Sequence, residues 1–162
     1  MSDPVHQTVT SYLDSSALVK RYLVEIGTSW VQAWCDDATQ VVAVAEIGLV
    51  EIAAAFAGKL RGTHITPAQY HSARTDLTTD ARDEYVLVTV NRAVVDEAIE
   101  LTARYRLRGY DAVHLACALI LNRALLAYQL PPLTFISADD DLLKAAAAEG
   151  LPMAQFLSRT GP

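Results

Sequence analysis

The sequence is poor in cysteine, and its two cysteines, Cys35 and Cys117, lie far apart along the chain. Two lone cysteines have neither the close spacing of a zinc site nor the number needed for a disulfide framework. We therefore interpret both as reduced, half-buried or fully buried small side chains in a cytoplasmic protein.

The sequence also lacks an uninterrupted apolar run of about 18 residues, the length expected of a membrane-spanning helix. Residues 1–10 are polar and contain no basic stretch followed by an apolar one, so no secretory signal is predicted. With 52% apolar and 20% charged residues, the 162-residue chain has the composition of a globular protein. We expect one domain over residues 1–162 with its core at about 8–151, and no membrane partner.

An excess of basic residues is missing as well, since 13 Lys and Arg against 19 Asp and Glu give a net charge of −6. This balance argues against a protein coated with nucleic-acid-binding surface. It does not exclude an enzyme that acts on nucleic acid, because a bound metal ion would offset part of the acidic charge.

Short runs rich in β-branched and aromatic residues alternate with longer segments of helical composition. The predicted strands are 9–13, 41–45, 86–90, 133–136 and, more weakly, 152–156. The predicted helices are 16–24, 47–60, 67–82, 93–105, 111–128 and 142–149. This alternation predicts a mostly parallel sheet of about five strands with helices on both faces, an α/β domain.

Four acidic residues lie where a predicted strand ends or a predicted helix begins: Asp14, Glu51, Asp111 and Asp139. Ligands of open parallel sheets bind beyond the carboxyl ends of the strands, so we expect Asp14 and Asp139 to face one crevice. Converging carboxylates repel each other unless a cation lies among them, and Mg²⁺ prefers such oxygen ligands. The pattern predicts metal-dependent phosphate chemistry.

Each of these acids also has an ordinary structural interpretation. Asp14 and Asp111 can cap helices, and Ser16 can either cap a helix or orient a metal-bound water or phosphate. Glu51 lies among apolar neighbours and can instead form a salt bridge or occupy an exposed helix edge. Glu46 is a rival acid, about 140° around the same helix from Glu51.

A histidine and an acidic triplet lie close to these acids in the sequence. His114 follows Asp111 by three residues, and we interpret it as a core histidine with one hydrogen bond. In the acidic triplet 139–141, Asp139 lies nearest the strand and is the first candidate for the fourth acid. Asp141 is a second candidate, and Asp140 is expected to face solvent.

Three of the acidic segments resemble the motifs of PIN-domain ribonucleases. Residues 13–20 (LDSSALVK) resemble the opening motif of that family, 108–116 (RGYDAVHLA) its third-acid helix, and 135–142 (FISADDDL) its fourth-acid segment. Glu51, which an Ala-rich stretch follows, occupies the second-acid position. The resemblance runs from about Thr8 to Leu151, and the size of the chain suits the VapC-type toxins of bacterial toxin–antitoxin pairs.

The resemblance implies a three-layer α/β/α domain, RNA endonuclease activity with Mg²⁺ or Mn²⁺, a homodimer, and inhibition by a VapB-type antitoxin. Carried over residue by residue, it makes Ser16 the hydroxyl near the metal and assigns an acidic quartet of Asp14, Glu51, Asp111 and Asp139. The sequence departs from the family pattern at Gly48, where a Ser or Thr often precedes the second acid. Asp140 and Asp141 add negative charge that many relatives lack.

Two other functional classes are alternatives to a PIN-domain ribonuclease. A phosphoacceptor receiver domain needs an adjacent acidic pair after its first strand and a Lys at the end of its last strand, and the sequence has neither. A non-catalytic interaction module with a PIN-like fold is the other alternative, although the intact acids favour an enzyme. No glycine-rich phosphate loop or Ser/His/Asp arrangement indicates a different chemistry.

Overall fold

The computed structural model describes residues 8–154, in which strands and helices alternate. The strands are β1 (Val9–Leu13), β2 (Gln40–Ala45), β3 (Val86–Val88) and β4 (Thr134–Ile136). The helices are α1 (Ser15–Tyr22), α2 (Thr28–Asp36), α3 (Glu46–Arg61), α4 (Pro67–Asp83), α5 (Arg92–Arg104), α6 (Gly109–Ala127) and α7 (Asp140–Ala148).

The four strands form one parallel sheet in the order β3-β2-β1-β4. In its register, Tyr12 lies opposite Ala43 on one side and Phe135 on the other, and Leu13 lies opposite Ile136. Strands β1 and β4 therefore end at the same level. The residues that follow them are neighbours at the carboxyl edge of the sheet, where parallel sheets bind ligands.

Helices cover both faces of the sheet. Successive residues of a strand point to opposite faces, and Tyr12 and Leu13 are both fully buried in different hydrophobic clusters. The Tyr12 cluster includes side chains of α5, α6 and α7, whereas the Leu13 cluster includes side chains of α1 to α4. The predicted three-layer α/β/α architecture is confirmed.

The weaker fifth strand, predicted at 152–156, is reduced to one backbone bridge within the described residues. Phe135 pairs in parallel with Met153, and the Phe135 N–H donates to the Pro152 carbonyl at 2.8 Å. Residues 155 and 156 lie outside the described part of the chain. The sheet that the structure describes thus has four strands and not five.

Helix α2 was not predicted, and it is the main error in the expected element order. It follows α1 after a short turn in which Gly27 has a φ of 94°, a left-handed conformation that favours glycine. The Thr28 hydroxyl closes the turn by donating to the Leu23 carbonyl and accepting from the Glu25 N–H. The short apolar stretch at 30–35 does not by itself distinguish a helix from a loop.

Helix α6 is long and apolar enough to span a membrane when judged by length and composition alone. Its residues from Ala112 to Leu119 are nevertheless buried in the domain, apart from the partly buried Val113. The same helix packs closely on α5. Its apolar composition is accounted for by its place in the protein core.

Candidate active site

Asp14 follows β1 directly and is the N-cap of α1, with 3% of its surface exposed. Its Oδ1 accepts hydrogen bonds from the Ala17 N–H at 3.0 Å and the Ser16 hydroxyl at 2.8 Å. Its Oδ2 accepts from the Ser137 hydroxyl at 2.7 Å. Burial raises the pKa of the Asp14 carboxyl, although the Ser137 hydrogen bond and nearby His114 act in the opposite direction. The two roles considered for Asp14, helix cap and site carboxylate, can thus be filled by one side chain.

Two serine hydroxyls connect the end of β1 to the segment that follows β4. Ser16 Oγ accepts from the Ala138 N–H at 3.0 Å, and Ser137 Oγ accepts from the Asp139 N–H at 3.0 Å. Both hydroxyls also donate to Asp14. Asp14 and the segment that leads to Asp139 are therefore in contact at one edge of the sheet, and Ser16 helps to hold them together.

Ser137 is a site residue that the sequence reasoning missed. It is 1% exposed and lies directly after β4, so its hydroxyl needs a partner inside the protein. The sequence feature that could have identified Ser137 is its position, because a hydroxyl just beyond a buried strand of a parallel sheet lies at the ligand-binding edge.

Asp139 is the N-cap of α7, and its Oδ1 accepts from the backbone N–H groups of Asp141 and Leu142 at 2.9 and 3.0 Å. It is partly buried, whereas Asp140 and Asp141 are exposed. The Asp141 side chain is 72% exposed and lies 3.6 Å from the Lys144 ammonium. Of the three consecutive acids, Asp139 is therefore the one that faces the protein.

Asp111 lies in the first turn of α6 and is partly buried. Its Oδ2 accepts from the Arg108 N–H at 3.2 Å, which closes the start of the helix. Burial raises the pKa of the Asp111 carboxyl, and the negative charge of nearby Asp139 raises it further. Asp111 and Asp139, 28 positions apart in sequence, thus influence each other electrostatically in the fold.

Glu51 lies in the second turn of α3, with its side chain 27% exposed. Its Oε2 lies 2.5 Å from Nε2 of His114, which is 2% exposed. The other ring nitrogen of His114, Nδ1, lies 2.9 Å from the Tyr12 hydroxyl. His114 thus has two hydrogen-bonding partners, not the single one that we expected. The rival acid Glu46, at the start of the same helix, is exposed.

The oxygen donors at this edge suit a hard divalent cation by their chemistry, since they are carboxylates and hydroxyls. Between residues 8 and 154, however, no group of three or more His, Cys, Asp or Glu side chains has the spacing of a metal site. Several carboxylate oxygens are engaged by backbone N–H groups and hydroxyls.

Comparison with a family model identifies a match to the PIN domain over residues 11–148, most of the chain. No curated protein matches the sequence.

Several solved structures share the fold. The crystal structure of PAE2754 from Pyrobaculum aerophilum is 16% identical, with a TM-score of 0.58 over 85% of this chain and 84% of that one. A toxin–antitoxin complex from Klebsiella pneumoniae includes a chain that is 16% identical, with a TM-score of 0.51 over 81% of this chain and 88% of that one. FitAcB from Neisseria gonorrhoeae is 13% identical, with a TM-score of 0.55 over 93% and 99% of the two chains. At these identities the likeness shows the fold alone.

Proposed function

The chain belongs to the PIN domain family, and on that premise we propose that it is a divalent-metal-dependent RNA endonuclease, the toxin of a toxin–antitoxin pair. Proteins of this family are in general nucleases, which makes a hydrolase the first class to consider. The observation that carries the proposal is that Asp14, which follows β1, contacts the segment of Asp139 after β4 through Ser16 and Ser137, at the carboxyl edge of a parallel sheet.

Asp14, Asp111 and Asp139 would hold Mg²⁺ or Mn²⁺, with Glu51 and Asp141 as further candidate ligands. Once bound, such an ion lowers the pKa of a water and offsets charge on the phosphate. The residues of the chain would hold and orient that ion beside the phosphodiester bond.

Ser16 and Ser137 hold the Asp14 carboxylate in one orientation, because each hydroxyl donates to it. Ser16 is also placed to orient a water or a phosphate oxygen at this edge. His114 holds one Glu51 oxygen, which leaves the other carboxylate oxygen of Glu51 to orient a water or accept its proton.

The proposal is tested by incubating the purified protein with a panel of structured RNAs in Mg²⁺ or Mn²⁺, then with a chelator. We expect endonucleolytic products that depend on the metal and disappear with the chelator. Asp14→Asn should abolish this cleavage while circular dichroism shows an intact fold, because Asn keeps the shape and the capping oxygen but removes the charge.

Asp140→Asn is the matched control, since Asp140 belongs to an acidic segment of the same edge but is exposed. It should retain most of the activity. Full activity of Asp14→Asn, or equal losses in both variants, would exclude this site.

A VapB-type antitoxin and a second copy of the chain are the proposed protein partners, in a cytoplasmic setting. One of the solved structures with this fold is a toxin–antitoxin complex. Between α1 and α2, Val24 and Ile26 are 95% and 76% exposed, and apolar side chains this exposed suit a protein contact. Sedimentation of the purified chain, alone and with the product of an adjacent antitoxin-like gene, tests both partners.

A non-catalytic interaction module with a PIN-like fold is the second candidate. It differs in one measurable respect. A module of this kind would bind the antitoxin, or even Mn²⁺, without cleaving any RNA of the panel.

A further inference from the structure

Tyr12, His114 and Glu51 form a continuous hydrogen-bonded chain between three elements of the fold. Tyr12 comes from β1, His114 from α6 and Glu51 from α3. The Tyr12 hydroxyl lies 2.9 Å from His114 Nδ1, and His114 Nε2 lies 2.5 Å from Glu51 Oε2. Tyr12 and His114 are almost completely buried, whereas the Glu51 side chain is 27% exposed. This series of hydrogen bonds therefore runs from the core to a partly exposed carboxylate on α3.

The direction of these hydrogen bonds follows from the donor capacity of each group. An ionised carboxylate can only accept, so Nε2 of His114 carries the proton that Glu51 receives. With the proton on Nε2, Nδ1 accepts from the Tyr12 hydroxyl.

Gly48 provides the space that the imidazole needs. It precedes Glu51 by three positions on α3, so both lie on the same side of that helix. A Cβ atom at position 48 would lie 3.1 Å from His114 Cε1 and 3.0 Å from Val44 Cγ2, both closer than ordinary contacts. A Ser or Thr at this position would meet the same obstruction.

We propose that His114 is a positioning residue that holds the Glu51 carboxylate in one orientation at the acidic edge, the carboxyl end of the sheet near Asp14 and Asp139. Tyr12 fixes the tautomer of the ring, and Gly48 leaves the space that the ring occupies. This inference rests on the proposed function, because it assigns Glu51 a place in the metal site. His114 acts through Glu51 and touches neither the cation nor the RNA.

Three substitutions at position 114 separate positioning from a merely structural role. His114→Leu removes both hydrogen bonds, His114→Gln retains a donor near the Nε2 position, and His114→Asn retains only an acceptor near Nδ1. We expect His114→Leu and His114→Asn to lower kcat for RNA cleavage and to weaken Mn²⁺ binding in calorimetry, each about 10- to 100-fold. KM for RNA should change little, and His114→Gln should recover most of the loss.

The His114→Leu substitution is also made in a Glu51→Gln protein, which tests whether His114 acts through Glu51. If His114 acts only through Glu51, adding His114→Leu to Glu51→Gln should cause no further loss of kcat or of Mn²⁺ affinity. Losses that multiply in the double variant would overturn the proposal. So would a His114→Leu protein with unchanged kcat and Mn²⁺ affinity per folded molecule.

The tautomer is measured independently of any activity, by ¹H–¹⁵N spectra of the imidazole in the metal-free protein. We expect Nε2 to carry the proton that His114 donates to Glu51, and in Tyr12→Phe a change of the Nδ1 signal from a hydrogen-bonded to a non-bonded nitrogen. A ring without a proton on Nε2 would overturn the proposal, since His114 could not then donate to Glu51. If the wild-type chain cleaves no RNA, the proposed function fails, whereas the spectra and the Mn²⁺ affinities still decide this inference.

Discussion

Asp14 shows how one side chain can satisfy local structure and still belong to a site. Its Oδ1 caps α1, while its Oδ2 receives the Ser137 hydroxyl from the strand beside it. The cost of burying the carboxylate is offset by these donors, since a buried charge with no hydrogen bonds is very unfavourable. Helix capping and a place at the acidic edge are therefore not competing interpretations for this residue.

Ser137→Ala is expected to destabilise the protein by about 1–3 kcal/mol, because it removes a donor from the buried Asp14 and an acceptor from the Asp139 N–H. The free energy of unfolding in urea measures the loss. Ser72→Ala in α4 is a control, since Ser72 is exposed on its helix. Similar stabilities for both variants would mean that the Ser137 hydroxyl contributes no net stabilisation.

At the scale of elements, a hydrogen bond from His114 on α6 to Glu51 on α3 decides how the Glu51 carboxylate is held. Helix α3 begins directly after β2 with no side-chain cap on its first turn, so tertiary contacts hold its start. Gly48 and Ile52 are buried on this helix, while Glu46 and Val50 are exposed. Glu51 lies at the boundary between these two sides, within reach of His114 on α6.

Two glycines of α3 are expected to respond oppositely to alanine. Gly58→Ala should stabilise the protein by about 1 kcal/mol, since alanine favours helices and the nearest atom to the new Cβ is Arg61 Nη2 at 4.0 Å. Gly48→Ala should destabilise it, because the Cβ would lie 3.0 Å from Val44 Cγ2. Urea unfolding of both variants makes the comparison. If both variants are more stable than the wild type, His114 and Val44 move to make room for the added Cβ at position 48 without loss of stability.

At the scale of the whole molecule, the parallel sheet brings acids from distant parts of the chain to one edge. Asp111 and Asp139 oppose each other electrostatically there, and burial disfavours the charge on Asp111 even more. The fold thus places a second negative charge near a partly buried carboxylate, and a bound cation would offset both charges. Such an arrangement is expected of a functional site more than of a purely structural one.

Asp111→Asn should raise the melting temperature in the presence of a chelator, because it removes a partly buried charge near Asp139. Excess Mn²⁺ should raise the melting temperature of the wild type, since the ion binds the folded site and hardly the unfolded chain. The variant should show a smaller rise. A lower melting temperature in chelator with an unchanged metal shift would make Asp111 a structural cap only.

Glu25 gives the stability a pH dependence away from the acidic edge. Burial raises the pKa of its carboxyl, but hydrogen bonds from Lys59 at 3.0 Å and Lys20 at 3.1 Å outweigh that effect and leave the pKa lowered. A lowered folded-state pKa contributes stability above the unfolded value, and this stability is lost as the pH falls through the folded value.

Glu25→Gln should therefore cost about 1 kcal/mol or less at neutral pH, because the partly exposed carboxylate is screened by solvent. The difference from the wild type should shrink as the pH falls through the ordinary range for Glu, which is about 4. Urea unfolding at a series of pH values measures both effects. A difference that is constant with pH would show that the charge of Glu25 is not its cause.

The sequence by itself determined the features that depend on near neighbours along the chain. Thr66 and Pro67 start α4 through a capping box with Gln69, and Gly150 follows the end of α7 with a φ of 86°. The sequence also predicts the alternation of strands and helices and the acids at their ends. These signals act over a few residues, so no knowledge of the fold is needed to interpret them.

Only the tertiary structure decided which distant groups meet. Tyr12 and His114 are 102 residues apart, and Asp14 and Ser137 are 123 apart. Their contacts depend on the order β3-β2-β1-β4 and on the register of Leu13 with Ile136, and neither feature has a local signature. A hydrogen bond requires its partners within about 3 Å, whereas a sequence pattern places a residue only on an element or a face. The second hydrogen bond of His114 and the role of Ser137 therefore followed from the packing of the sheet and its helices.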